Sequence, residues 1–243
     1  MNLQGKTVAI TGASGGIGKV LAKKLAAEGA KLILTFHDKD KEALMKQNFP
    51  GQVLFQADFT KDGQVEKLIQ NITEVTDEVD VLINAAGIGV YEPLEKIRIS
   101  DWDNSFAINV RAPFLLTQKL LPLLQKSSDS LVVNIGSGAG TMAMKGRAAY
   151  CATKFALRGM TLTLAEEFAG RRPQFCLITL GSTLTSFGGV PVEKKLEWQK
   201  QGRAYFTVEW VADRLVEIVK NDKREVEYVL YPGDYGLSPW KRP

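Results

Sequence analysis

Short runs of apolar or β-branched residues recur along the chain at 7–11, 32–36, 53–57, 81–84, 131–135, 175–180 and 226–230. Between them apolar residues return at the three-to-four spacing of a helix, near 17–28, 39–48, 61–76, 101–126, 148–170 and 207–221. The strand runs are apolar almost throughout, which is the pattern of a parallel sheet covered on both faces. Strand and helix in alternation predict an α/β fold, a doubly wound parallel sheet of about seven strands with helices on both faces. No linker, internal repeat or low-complexity tract interrupts the pattern, so residues 1–243 read as one domain with a short lid near 186–206.

Composition narrows the chemistry. A chain of 243 residues, 45% apolar, is long enough for a core without metal or disulfide staples. The net charge of +4 is small, and the basic pairs Lys23-Lys24, Arg171-Arg172, Lys194-Lys195 and Lys223-Arg224 are scattered, so no nucleic-acid partner is expected. Cys151 and Cys176 make no disulfide framework and have no metal-ligand spacing around them; both read as buried thiols. The single His37 rules out a His-rich zinc site and leaves one candidate base for any Ser-His-Asp triad. No metal is expected. The N-terminal segment lacks the basic and apolar regions of a signal peptide, and the most apolar stretch, from Phe114 to Leu124, is broken by Gln118 and Lys119. These features predict a soluble, cytoplasmic protein without a membrane partner.

Glycine occupies 22 positions, about 9% against a usual ~7%, and several glycines follow predicted strands. In an open parallel sheet that edge is where ligands bind. The segment Thr11-Gly12-Ala13-Ser14-Gly15-Gly16-Ile17-Gly18 closes the first strand and opens the first helix. Glycines permit a tight turn and close approach of backbone to ligand, while the helix N-terminus offers N–H groups to a phosphate. A P-loop is excluded twice, by Ala13 where that motif needs Gly and by Val20 where it needs Ser or Thr. A dinucleotide site and a purely structural turn are both compatible with this segment alone.

A second set lies downstream. The fourth strand ends Asn84-Ala85-Ala86-Gly87, the fifth runs into Gly136-Ser137-Gly138, and a helix carries Tyr150 and Lys154 at i and i+4, on one face. A free Tyr titrates near ~10, and a nearby ammonium lowers that value, which would fit it for acid–base work. A strand-end Ser hydroxyl would hold a substrate oxygen. Taken with the glycine turn, this set points to chemistry beyond a chance YxxxK.

From Lys6 to about Thr185 the chain resembles the short-chain dehydrogenases/reductases, through TGASGGIG, NAAG, Ser137 and Tyr150-xxx-Lys154, with Asn109 in the long fourth helix. The resemblance implies a Rossmann-like fold and a tetrad: Tyr150 as general acid/base, Ser137 orienting the carbonyl or hydroxyl, Lys154 on the nicotinamide ribose and lowering the Tyr pKa, Asn109 holding a water of a proton relay. Pro113 adds to the last role, since it has no N–H for the Asn109 carbonyl and its ring pushes that carbonyl away; an ordinary kink is the bland alternative. The cofactor set implied is Gly12, Ser14, Gly15, Gly16, Ile17, Gly18, Phe36, His37, Asp58, Phe59, Asn84, Ala85, Ala86, Gly87, Tyr150, Lys154, Gly181, Thr183 and Thr185. Within it Asp58 matches the acid on the adenine amino group, with a turn-forming Asp as the alternative. Asn84 looks like the strand-end Asn that steadies the sheet. Thr185 matches the Thr of a Pro-Gly-x-x-x-Thr turn, from which this chain departs with Leu180 for Pro.

The activity implied is hydride transfer between a nicotinamide cofactor and a small carbonyl or alcohol. A non-catalytic dinucleotide-binding redox sensor or regulatory partner is the competing class, against which an intact tetrad speaks. NADP(H) is favoured over NAD(H), because Phe36 stands where an acidic residue would bond the ribose 2′-OH and His37 and Lys39 can meet a phosphate. Asp38, shifted by two, is the alternative NAD ligand. Tyr91, Met142, Met144, Phe187, Val190, Trp198, Tyr205 and Phe206 are candidates for the pocket or for a lid closed on the core. Arg147 reads either as an exposed side chain or as a contact for an acidic substrate. The C-terminal stretch lacks the Asp-Gly-Gly of the 3-oxoacyl carrier-protein reductases, which makes fatty-acid synthesis a weaker fit. The resemblance also implies a homodimer or homotetramer paired through the helices near 101–126 and 148–170.

Overall fold

The computed structural model describes residues 1–237. Seven parallel strands form one sheet: β1 (Thr7–Thr11), β2 (Lys31–Phe36), β3 (Val53–Gln56), β4 (Val81–Asn84), β5 (Leu131–Ile135), β6 (Gln174–Leu180) and β7 (Glu227–Leu230). Their spatial order is β3-β2-β1-β4-β5-β6-β7. Chain order therefore reverses between β1 and β4, and the crevice beyond the carboxyl ends of those strands is the switch point of a doubly wound sheet.

Period-two geometry divides each strand between two cores. Val8 and Ile10, Leu32 and Leu34, Val81 and Ile83, Leu131 and Val133, and Cys176 and Ile178 face one cluster. Ala9, Ile33, Leu82, Val132 and Phe175 face the other. The first is covered by α1 (Gly16–Ala27), α2 (Glu42–Asn48) and α8 (Val208–Lys220). The second is covered by α3 (Gln64–Val75) and α5 (Ala112–Leu124), with the end of α6 (Ala148–Glu167). In α8, Val211, Ala212, Leu215 and Val219 recur at helical spacing and pack with Leu21, Ala22 and Leu25 of α1.

Two local features depart from the sequence reading. The long helix expected near 101–126 is α4 (Ile99–Phe106) and α5 joined by a π-helical turn over Ala107–Arg111, in which the Ala112 N–H bonds the Ala107 carbonyl. Pro113 cannot donate to the preceding turn, and the wider turn takes up the mismatch. The lid region contains a further helix, α7 (Val192–Lys200). Only Val192, Leu196 and Trp198 are apolar in it, too few to give a helical stripe.

At the opposite sheet edge, Asp80 ties three elements together. Its carboxylate accepts from Lys6 Nζ at 2.8 Å, from the Thr7 N–H at 2.8 Å and from Ser127 Oγ at 2.6 Å. Burial pushes the carboxyl up, but those three donors outweigh it and hold Asp80 below its ordinary value. A depressed folded-state value stabilises the fold fully above the unfolded value, about 3.9, and that stabilisation is lost as pH falls through the folded value. Asp80→Asn is expected to cost on the order of 2 kcal/mol at pH 7. In urea titrations this deficit should shrink below about pH 4, as the wild-type carboxylate is protonated too. An unchanged deficit at pH 2 would show that charge is not what holds this corner.

Candidate active site

The glycine turn lies at the mouth of the crevice. Thr11 Oγ1, at the end of β1, accepts from the N–H groups of Ala85 and Ala86, both at 3.1 Å. The Ala13 N–H donates to the Thr35 carbonyl at 2.8 Å, so the turn is fixed to both neighbouring strands. Gly12 has φ +70°, and a Cβ there would stand 2.8 Å from Ala86 Cα; a Cβ on Gly18 would collide with the Gly12 carbonyl oxygen. Side chains are therefore excluded where the backbone packs on itself. Gly15 precedes α1 without a side-chain cap, and no acidic residue stands in the first helical turn. That leaves the positive end of the helix available to an anion. Thr185 closes this cradle from above: a Cβ on Gly16 would meet its Cγ2 at 2.8 Å. The open helix end and the space kept free by glycine fit a dinucleotide pyrophosphate.

Behind the turn, polar side chains run through the sheet centre. Asn84 Nδ2 donates to Asn134 Oδ1 at 2.8 Å, and Asn134 Nδ2 to Thr161 Oγ1 at 2.8 Å. The buried Asn84 Oδ1 has no partner among the described residues.

The structure brings Tyr150, Lys154, Ser137 and Asn109 to one place. Tyr150 is 6% exposed and Lys154 5%. Lys154 Nζ donates to the Ile135 carbonyl at 2.8 Å and lies 5.8 Å from the centre of the Tyr150 ring. Ser137 Oγ accepts from the Ala139 N–H at 3.2 Å, and the hydroxyl is close enough to Tyr150 to lower its phenol pKa. Asn109, in the π-helical turn, is clamped: Oδ1 accepts from the Ile88 N–H, and Nδ2 donates to the Ile88 carbonyl and to Thr153 Oγ1, all within 3.0 Å. Its side chain thus joins the loop after β4 to α6. A Cβ on Gly87 would stand 3.2 Å from Asn109 Oδ1 and 3.9 Å from Lys154 Nζ, so Gly87 borders the same space.

Electrostatics reverse one expectation. Burial pushes the Tyr150 phenol above its ordinary value; Tyr91 adds to this, while the Ser137 hydrogen bond and the Arg147 charge oppose it. Lys154 is itself held down, to about 8, by burial. In this state the Tyr keeps its proton, and its environment rather than Lys154 dominates.

Aromatic side chains enclose the phenol. Tyr91 meets Tyr150 edge-on at 5.5 Å between ring centres, and Phe187 lies at 5.7 Å. Met144 packs against the same cluster. Phe187 belongs to the lid, whose start is held where Lys195 Nζ donates to the carbonyls of Thr185 at 2.6 Å and Phe187 at 3.2 Å. Not every pocket candidate faces this space. Phe206 is fully buried and stacks on Trp210 at 4.0 Å, and Trp198 lies under Arg203.

Gly181 and Thr183 follow β6 at the same sheet edge. The Gly181 N–H bonds the Leu230 carbonyl, and Thr183 pairs with Phe206. The turn is thus closed by backbone bonds where Leu180 replaces the expected Pro.

At the far end, Asp58 Oδ1 accepts from Thr60 N–H at 3.0 Å and Thr60 Oγ1 at 2.6 Å. Burial raises its carboxyl, and those bonds, with the charges of His37 and Lys61, bring it below the ordinary range. Phe59 is buried in the second cluster. Phe36 ends β2, as the sequence predicts, and its ring is 3% exposed and packed in the first core, so the ring itself is not offered to a ribose. Its ring gains more from burial there than from solvent at the strand end. His37 is exposed, and Asp38 accepts from the Asp40 N–H as a cap. Sequence reasoning missed Thr153 and Lys195. Thr153 lies three residues after Tyr150 in the helix, a spacing that marks it as a neighbour; Lys195 sits in a polar run without a signal.

The sequence model of the short chain dehydrogenases matches residues 6–195. An uncharacterised oxidoreductase of Thermotoga maritima is 36% identical over 172 residues, covering 69% of this chain and 68% of that one. An NAD-dependent glycerol dehydrogenase of Listeria innocua is 32% identical, covering 69% of this chain and 66% of the relative. A short chain dehydrogenase from Burkholderia cenocepacia J2315, solved in complex with NADP, superposes with a TM-score of 0.83 at 27% identity, over 95% of this chain and 97% of that one. The chain belongs to the short-chain dehydrogenase/reductase family of nicotinamide-dependent oxidoreductases. Among the described residues no helix is long and apolar enough to cross a membrane.

Proposed function

We propose that the protein interconverts a small carbonyl compound and its alcohol, with Tyr150 as general acid/base and NADP(H) as the favoured cofactor. The observation that carries this reading is the burial of Tyr150 beside the Ser137 hydroxyl and the Lys154 ammonium. The bound nicotinamide supplies or accepts hydride at the substrate carbon. Ser137 orients the substrate oxygen and Tyr150 gives it a proton; a phenol held above its ordinary value keeps that proton at neutral pH. Lys154 stands at the inner end of the crevice, where a ribose hydroxyl can replace the Ile135 carbonyl as its acceptor. Asn109 fixes the Ile88 loop as one wall, and its carbonyl, which Pro113 cannot bond, is offered to water. A sensor would have no use for a buried Tyr-Lys pair.

The cofactor preference rests on the exposed His37 after β2, on Lys39 beside it and on Asp38 being engaged as a cap. A homodimer or homotetramer paired through α5 and α6 is supported by Phe114 and Phe155, which are 42% and 48% exposed on those helices.

Tyr150→Phe is expected to lower kcat about 10²–10⁴-fold with cofactor affinity nearly unchanged. Lys154→Ala should weaken affinity and turnover together. A panel of carbonyls and alcohols followed by nicotinamide absorbance checks both, and a Tyr150→Phe enzyme of ordinary activity would sink the mechanism.

Dissociation constants at fixed salt should be lower for NADPH than for NADH, with the margin reduced in His37→Ala. Because Phe36 lies in the core, Phe36→Asp would bury a carboxylate and is no clean test. Tighter NADH binding that is lost in Asp38→Ala would make Asp38 the ribose ligand instead.

Sedimentation at micromolar concentration should show a dimer or tetramer that Phe155→Glu dissociates. A monomeric wild type refutes the pairing.

A further inference from the structure

Arg147 immediately precedes α6, three residues before Tyr150, and its guanidinium lies 4.4 Å above the centre of the Tyr91 ring. Tyr91 in turn meets Tyr150 edge-on at 5.5 Å. The cation is thus one aromatic ring away from the proton donor. Its recorded side-chain hydrogen bond goes to Met144 Sδ at 3.4 Å, a weak acceptor, and it enters no ion pair among the described residues. Five fixed N–H donors in a half-buried position therefore have one poor partner.

The surroundings add positive charge. Lys195 is spent on the Thr185 and Phe187 carbonyls at the base of the lid and pairs with no carboxylate among the described residues. Burial lowers it and the Arg147 charge lowers it further. Elsewhere in the chain the arginines at Arg98, Arg158, Arg214 and Arg224 each hold a carboxylate at 2.9 Å or less. At the mouth of the candidate active site stand aromatic walls and cations, Arg147 and Lys195, that pair with no carboxylate among the described residues.

We propose that Arg147 anchors a substrate carboxylate, so that the protein acts on an oxo acid or hydroxy acid carrying an apolar group against Tyr91 and Phe187. This rests on the oxidoreductase reading above and names its substrate class. A planar guanidinium is the group best matched to a carboxylate, which it binds with two parallel hydrogen bonds. Stacking on Tyr91 fixes the plane of the fork without using its edge donors. In the reducing direction the carbonyl carbon gains hydride from NADPH and the oxygen gains the Tyr150 proton. The products are the hydroxy acid and NADP⁺, and Tyr150 regains its proton from solvent. The carboxylate is unchanged throughout, so its contact with Arg147 serves ground state and transition state alike.

Binding and turnover are measured separately. With the cofactor-saturated protein, calorimetry compares benzoate with benzamide, the same ring with and without the charge. Benzoate is expected to bind at least about tenfold tighter, and Arg147→Met should erase that margin while Arg147→Lys keeps part of it. In turnover, a 2-oxo acid is compared with its methyl ester. Arg147→Met should raise KM for the acid far more than for the ester, the pattern of lost uniform binding, while any change in kcat that comes through the Tyr150 proton is shared by both substrates. Equal binding of benzoate and benzamide by the wild type overturns the proposal, as does a margin that survives in Arg147→Met; Arg147 is then a surface cation resting on Tyr91. Benzoate preference without turnover of any carbonyl upholds the anion site and removes the oxidoreductase reading. Turnover of neutral carbonyls without benzoate preference does the reverse.

Discussion

Lys154 carries an ammonium into the interior and pairs with no carboxylate among the described residues, and the architecture around the crevice is arranged about that charge. Its recorded hydrogen bond goes to the Ile135 carbonyl at the end of β5. Removing an ammonium from water costs several kcal/mol, and a single carbonyl does not offset that. Burial accordingly pushes the ammonium's pKa down, to about 8. A charge so placed is poised to gain from any ligand that brings it further oxygen acceptors. The neighbours make room for it. A Cβ on Gly140 would stand 2.7 Å from the Lys154 carbonyl oxygen, so α6 reaches its position only past a glycine. Gly87 leaves the space in front of Nζ open.

The same constraint links the two halves of the site. The cofactor cradle belongs to the reversal between β1 and β4, while Tyr150 and Lys154 belong to α6, beyond β5. What joins them is polar and buried. Asn84, Asn134 and Thr161 span β4, β5 and α6 in one line of hydrogen bonds, and Asn109 ties the loop after β4 to Thr153 on α6. Buried polar networks of this sort fix relative position because any slippage leaves a donor without an acceptor. Asn109, a member of the proposed tetrad, is therefore also a strut between the loop after β4 and α6.

The sheet was legible because parallel strands buried on both faces are apolar almost throughout, and all seven runs stand where the pattern puts them, to within a residue or two. The glycine turn was legible because steric exclusion at Gly12 and Gly18 leaves a spacing in the sequence. Helix α7 was not, since a helix held by Lys195 and a few apolar contacts has no stripe to show. The π-helical turn left a trace in Pro113, which announces a disturbed carbonyl without saying how the chain resolves it. That the Phe36 ring turns into the core was not legible, because a strand-end position does not reveal which way a ring turns. The sign of the Tyr150 shift was misread for a related reason: a lysine at i+4 is visible in the sequence, whereas the depth of burial and the approach of Tyr91, 59 positions earlier in the chain, belong to the fold alone.

The central claim is that Lys154 is a buried, weakly satisfied cation awaiting the cofactor, and a titration of the lysine side chains tests it most directly. With ¹³C-labelled Lys Cε observed by NMR, one resonance should titrate near pH 8, vanish in Lys154→Arg and shift when NADPH is added. A Lys154 that titrates with the surface lysines, near ~10.4, and is unmoved by cofactor would contradict the account.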